Sequence, residues 1–289
     1  MVFNSEKIRI EEKTYIFKLN EKTMFANGLV LGLFCKEYKN KFFKLKELLY
    51  SKIKKKHNNT VETIIKNKIK DWIINLKNNY RIIIEDIIGF SEGIGIKDNT
   101  ILEINLLVEI YDHMCTLLGV KSENKSWNLR ILDLDNELTN LSRQLDIPLA
   151  IISYNYENIK YISFNFLGLF NSHTSYFNKM MITTFSWNNL HLKDFLKNDI
   201  PPLLYLRYII LSRKNINSIN ECLQKSKLKY DGYVMLMNKD KIIFEDLNKK
   251  RNESSYVNKN GKILISDYNF EISEDLKFFI IYFIIFHQK

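Results

Sequence analysis

The chain has 289 residues, 46% of them hydrophobic, and a formal net charge of +10. That length and apolar fraction exclude a disordered chain and leave room for one large domain or two small ones around a sizeable core. Its three cysteines, Cys35, Cys115 and Cys222, are too few and too scattered for a disulfide framework or a zinc site, and no metal or cofactor is expected.

The positive charge allows an anionic partner such as a nucleic acid or an acidic membrane surface. The densest run, Lys52, Lys54, Lys55, Lys56 and His57, reads more simply as a solvated helix end, because no nucleic-acid motif accompanies it. Nucleic acid is therefore not an expected partner, while contact with a membrane surface is allowed. The first residues, Met1 to Lys7, contain no apolar signal core, so a cytoplasmic location is the default expectation. The nine-residue apolar run Phe278 to Phe286 is too short to span a bilayer as a helix and reads as a buried strand or an anchoring segment.

In chain order, 7–18 reads as a short hairpin through Ile8, Ile10, Tyr15 and Phe17. Apolar residues at helical spacing predict a long helix over 21–56, then helical structure over 60–90 with a break near Asn78 and Asn79. Gly89, Gly93 and Gly95 read as the punctuation of the next turn, and a helix follows over about 98–112. The character changes at Cys115. Strand-like stretches follow at 115–120, 127–134, 147–154, 158–166 and 178–185. A helical stretch over 200–226 opens on Pro201 and Pro202, which suit a first helical turn, and strands return at 232–237, 241–246 and 262–267. The order implies an α+β fold, with helices packed on antiparallel sheets. We divide the chain into a mainly helical segment, 1–114, and a mixed segment, 115–289, in one compact unit.

The chemistry-bearing residues gather around Cys115. Asn105 and Glu109 precede it at helical i, i+4 spacing, Thr116 follows it, and Arg130 and Asp133 come on the next predicted strand. A turn at Glu123 to Ser126 pairs that strand with the one Cys115 begins. A Cys-Thr pair followed about fifteen residues later by R-x-x-D resembles the start of the mature chain in N-terminal-nucleophile cysteine amidases. The resemblance implies that the side chain attacks the peptide bond before it, between Met114 and Cys115, and that the freed α-amine, of pKa about 7.7–8.0, then serves as the local base for the thiol. An arginine and an aspartate on the neighbouring strand would supply the counter-charge and the hydrogen-bond partner, and the oxyanion needs its own donors.

These residues resemble the acid ceramidase and N-acylethanolamine acid amidase family, within the wider choloylglycine hydrolase and penicillin acyltransferase superfamily. That family has N-x-x-Y-E shortly before C-T-S-I, then R-N-[LM]-D. Here stand Asn105 and Glu109, Cys115-Thr116-Leu117-Leu118, and Arg130-Ile131-Leu132-Asp133. Similar stretches recur at Ile88 to Ile96, at Phe166 to Phe170, at Lys179 to Thr183, at Ile200-Pro201-Pro202 with Arg207, and at Ser266-Asp267-Tyr268-Asn269, where the family has T-N-Y-D. The resemblance runs from about 85 to 270 and is most specific at the Cys-Thr and Arg-x-x-Asp pair. The chain departs from the pattern at Ile131, where the family has Asn. At Phe185-Ser186-Trp187-Asn188 it lacks the N-x-R that ends the family's strand. Asp267 stands where the family's Asn is an oxyanion donor. A carboxylate accepts rather than donates, and Asn269, two residues on and on the same strand face, is the candidate substitute.

The resemblance implies an αββα sandwich preceded by a helical segment, and self-cleavage into two fragments that stay associated. It further implies hydrolysis of an N-acyl, lipid-like amide through a Cys115 thioester. Arg130 would orient the thiol and the acyl carbonyl, Asp133 would hold the amine, and Asp267 or Asn269 would serve the oxyanion. Asn105 and Glu109 either brace the cleavage segment or face solvent. Acyl transfer to another amine, a relative that keeps the fold and binds a lipid or protein without turnover, and an unrelated α+β protein that binds an anionic surface through the Lys52–Lys56 region are the competing readings. His113 could pair with Cys115, but leaves with the first fragment on self-cleavage; His173 and His191 lack metal-like spacing, and Cys35 and Cys222 read as structural.

Overall fold

The computed structural model describes residues 4–11, 14–56, 59–110, 114–121, 126–133, 141, 144–156, 159–171, 174–177, 180–186, 196–213, 215–226, 232–247, 255–257 and 261–266. Over 114–121, 126–133, 181–186, 255–257 and 261–266 the description is of the backbone. The fold is α+β: an opening hairpin and then helices before position 111, and strands with helices among them after it, as the periodicity implies.

The hairpin β1 (Glu6–Glu11) and β2 (Thr14–Leu19) opens the chain. The stretch expected as one long helix is two: α1 (Met24–Phe34) and α2 (Lys39–Lys56), separated by a 3-10 turn over Lys36–Tyr38. Thr23 caps α1, its Oγ1 accepting from the Ala26 N–H at 3.1 Å. Next come α3 (Asn59–Asn79), which stops where Asn78 and Asn79 predict, then α4 (Glu85–Ile94) and α5 (Thr100–Ile110). The exposed Lys54 and Lys55 lie in the last turn of α2, in keeping with a solvated helix end.

The reading of Gly89 and Gly93 as turn residues is corrected. Both lie inside α4, and only Gly95, at φ 81°, ends the helix in the left-handed conformation. Gly89 and Gly93 face α1 at backbone contact distance. A Cβ at Gly89 would sit 2.1 Å from the Phe25 carbonyl oxygen, and one at Gly28 of α1 would sit 2.0 Å from the Asp86 carbonyl oxygen. Glycine here permits a close helix crossing rather than a break.

From Met114 the strands are β3 (Met114–Lys121), β4 (Ser126–Asp133), β5 (Leu149–Tyr156), β6 (Ile159–Phe166), β7 (Thr174–Phe177) and β8 (Met180–Ser186). The predicted helical stretch 200–226 is two helices, α6 (Pro202–Ser212) and α7 (Ile216–Lys225), the second capped by Asn215 accepting from the Ser218 N–H at 3.0 Å. The strands β9 (Gly232–Met237), β10 (Ile242–Asp246), β11 (Ser255–Val257) and β12 (Gly261–Ser266) close the described chain.

Two sheets result. The larger has the order β1-β2-β5-β6-β7-β8-β9-β10-β11 and the smaller β12-β3-β4. The expectation of purely antiparallel sheets is corrected at one pair: β2 runs parallel to β5, Ile16 opposite Ile151. Between these strands the described residues include α1 to α5 and the β3–β4 pair, a crossover long enough for parallel pairing.

One face of the large sheet packs on the helices, burying Phe17, Leu19, Ala150, Ile152, Tyr161, Val234, Leu236 and Ile243 in one core with Phe42, Trp72, Phe90 and the apolar side of α5. On its second face β3 packs against β8 and β9. Met235, Met237 and Ile242, which alternate with the helix-side residues of β9 and β10, are buried there. The described layers are thus helix, large sheet and small sheet, and Cys115 stands at the second position of the small sheet's central strand.

Candidate active site

Backbone register sets the surroundings of Cys115. β3 and β4 form an antiparallel ladder with Met114 opposite Asp133, Cys115 opposite Leu132, Thr116 opposite Ile131 and Leu117 opposite Arg130. The expected pairing of the cysteine strand with the Arg130–Asp133 strand is therefore present. By strand alternation positions 115, 117, 130 and 132 share one face, and 133 belongs to the other. Asp133 closes β4 directly across from Met114, so it lies beside the peptide unit that joins Met114 to Cys115. On the other side of β3, Ser266 of β12 stands opposite Thr116. Asp267, Asn269, His113, His173, His191 and the run Phe278 to Phe286 lie outside the described residues.

Asn105 and Glu109 are buried, which removes the solvent-facing alternative. Asn105 Oδ1 accepts from the Phe170 N–H at 2.7 Å, and its Nδ2 donates to the carbonyls of Gly168 and Ile101, both at 2.9 Å. It fastens α5 to the loop after β6. Gly168 shapes that loop at φ 81°, where a Cβ would meet the Phe42 ring at 2.4 Å.

Glu109 reaches the first turn of α6, where its oxygens accept from backbone N–H groups that lack partners within the helix. Oε2 accepts from the Leu203 N–H at 2.9 Å, and Oε1 from the Leu204 N–H at 3.0 Å and from Asn171 Nδ2 at 2.8 Å. Asn171 Nδ2 also donates to the Asn105 carbonyl at 3.3 Å. Burial pushes the Glu109 carboxyl up to about 8, against the three donors that pull it down. The loop entering α6 is fixed in turn by Trp72, whose Nε1 donates to the Asn198 carbonyl at 2.8 Å.

A second buried polar cluster holds the middle of the same helix. Arg207 of α6 pairs through both terminal nitrogens with Asp86 of α4 and donates from Nη1 to the Ile83 carbonyl at 2.9 Å. Tyr154 of β5 donates from its hydroxyl to Asp86 Oδ2 at 3.0 Å. Burial disfavours the guanidinium, but the Asp86 carboxylate outweighs it and holds Arg207 charged. Burial, then the Asp86 charge, raises the Tyr154 hydroxyl well above its ordinary range. The Phe170 ring lies 5.8 Å from the Arg207 guanidinium, while its backbone N–H is held by Asn105, so one residue touches both clusters.

No protein-family model matches this chain, and no curated protein matches it. Among the described residues no group of His, Cys, Asp and Glu is placed to hold a metal ion, and no helix is long and apolar enough to cross a membrane. Cys35 is buried, and burial raises its thiol well above the ordinary range, so it packs rather than reacts. The half-buried Cys222 accepts from Arg213 Nε at 3.0 Å near the surface.

Sequence reasoning missed Asp86, Tyr154 and Asn171. Asp86 left a signal: a carboxylate within Ile82-Ile83-Ile84-Glu85-Asp86-Ile87-Ile88, where burial requires a partner cation. Asn171 left none, since the groups its side chain donates to lie more than 60 residues away.

Proposed function

We propose that the chain is an N-terminal-nucleophile cysteine amidase of the acid ceramidase and N-acylethanolamine acid amidase type, built as an αββα sandwich around the described layers. It cuts itself between Met114 and Cys115 and hydrolyses an N-acyl, lipid-like amide. One observation carries this reading. Segments that resemble the family in sequence, scattered over about a hundred residues, interlock in space: Asn105 and Glu109, the Gly168–Asn171 loop, the α6 N-terminus and Arg207. They do so just before the strand that Cys115 begins, and Arg130, Asp133 and Ser266 flank that strand in register.

The proposed chemistry runs in two stages. In self-processing the Cys115 sulfur attacks the Met114 carbonyl carbon. The carbonyl-to-nitrogen bond breaks, the nitrogen takes up the thiol proton to become the α-amine, and the Met114 acyl group is held as a thioester. Water hydrolyses that thioester, leaving a Met114 carboxylate and a free thiol. In turnover the amine takes the thiol proton, and the thiolate attacks the substrate's acyl carbon. The leaving amine departs protonated, and water releases the fatty acid. Asp133, across from Met114, stands beside the freed amine, and Arg130 serves the thiol and the acyl carbonyl. The oxyanion's donor comes from the segment after Ser266, with Asn269 in that role, because the Asp267 carboxylate accepts rather than donates.

A fold-only relative is the second reading. Ile131, opposite Thr116, replaces the family's asparagine with a side chain that can neither donate nor accept a hydrogen bond. A long-chain N-acyl aminocoumarin separates the two. The amidase reading expects fluorescence release by the wild type, none by Cys115→Ala, and an acyl adduct on Cys115 by mass spectrometry. Equal, background release by both proteins would leave the fold-only reading.

A further inference from the structure

Asn171 holds an unusual position between two buried acceptors. Its Nδ2 donates both to the Asn105 carbonyl and to Glu109 Oε1, and Asn165 Nδ2 of β6 donates to the Asn171 carbonyl at 2.8 Å. Its own Oδ1 is buried with no partner among the described residues. A flipped amide would set an oxygen against two acceptors, so the side chain is fixed by what its nitrogen donates to, at the cost of an orphaned oxygen. Glu109, the group it holds, is the penultimate residue of α5, and only three residues separate the end of that helix from Met114. Four Cα steps reach at most about 14 Å. At the far end of this short tether Met114 is paired to Asp133, so the chain before Cys115 is held at both ends.

We propose that Asn171 is a positioning residue for self-processing. By clamping Glu109 and the end of α5 against the first turn of α6, it fixes where the Met114 carbonyl is presented to the Cys115 thiol. This rests on the self-processing reading above and adds to it a residue that never touches the reacting atoms. The clamp acts on the first step, the shift of the Met114 acyl group from nitrogen to sulfur, and not on the hydrolysis that follows. Misplacing reacting atoms by about an ångström slows a reaction roughly a hundredfold, so loss of the clamp slows the shift by roughly tenfold to a hundredfold.

The test follows cleavage of newly synthesised full-length chain by intact mass, with and without hydroxylamine, which cleaves thioesters. It compares wild type, Asn171→Ala and the near-isosteric Asn171→Asp. Rates are taken on the protease-resistant fraction, so partial misfolding does not obscure the comparison. Expected are cleavage of the wild type accelerated by hydroxylamine, and slow cleavage of both variants that hydroxylamine does not restore. Variants that cleave at the wild-type rate, that slow only in proportion to their loss of folded protein, or that hydroxylamine rescues would overturn the clamp. A wild type that hydroxylamine leaves intact would instead overturn the self-processing reading itself.

Discussion

The two buried polar clusters on α6 do different work. Arg207 and Asp86 form a charged pair in the middle of the fold, joining α4, α6 and β5, and no chain leads from them directly to β3. Glu109 and Asn171 form an uncharged-to-acid clamp at the helix's first turn, and the chain runs from it to Cys115 within six residues. The first cluster is a device for stability and the second a device for position. A buried ion pair broken on one side leaves an uncompensated charge, whereas a clamp loosened by one hydrogen bond leaves the fold standing and the geometry wrong.

The largest expected effect breaks the ion pair. Arg207→Ala or Asp86→Ala destabilises the protein by about 3–5 kcal/mol, measured by urea denaturation, while a double replacement by apolar residues recovers much of that loss because neither charge remains buried. Glu109→Gln comes next, at about 1–3 kcal/mol, because an amide nitrogen, which cannot accept, replaces one of the two oxygens that accept from the Leu203 and Leu204 N–H groups. Its effect on cleavage is expected to exceed its effect on stability. Were Arg207→Ala to fold stably and stop cleavage while Glu109→Gln cleaved normally, the division of labour would be reversed.

Glu109 also sharpens the comparison through pH. Its carboxyl is raised by burial to about 8, so the folded state holds a proton that the unfolded chain releases at ordinary carboxylate pH. The stability this contributes is complete below about pH 4.5 and is lost as pH rises toward 8. Thermal unfolding from pH 5 to 8 is expected to show a decline in the wild type that Glu109→Gln lacks. The smallest effect is at the surface. Lys18→Ala breaks its ion pair with Glu6 at 3.1 Å, both side chains more than half exposed, and changes stability by less than about 1 kcal/mol.

The sequence made some of this legible and not the rest. Apolar spacing placed the helices before position 111 and the strands after it, because burial of one face imposes period 3.6 or period 2 wherever the core sits on one side. The i, i+4 spacing of Asn105 and Glu109 showed that they share a helix face, and the turn near Glu123 to Ser126 gave the β3–β4 pairing. Gly89 and Gly93 misled because local propensity cannot distinguish a break from a close crossing, which depends on Gly28 and Gly32 some 60 residues earlier. The parallel β2–β5 pair and the four-residue β7 have no local signature. Asp86 and Asn171 are set by partners far away in sequence, and the single apolar-embedded carboxylate was the one trace that either left.

The most direct test of the central claim is the intact mass of the purified protein beside Cys115→Ala, at acid and neutral pH. Two fragments ending at Met114 and beginning at Cys115, in the wild type alone, are the predicted result. A single uncleaved chain in both proteins at both pH values would contradict self-processing and leave a fold without the proposed chemistry.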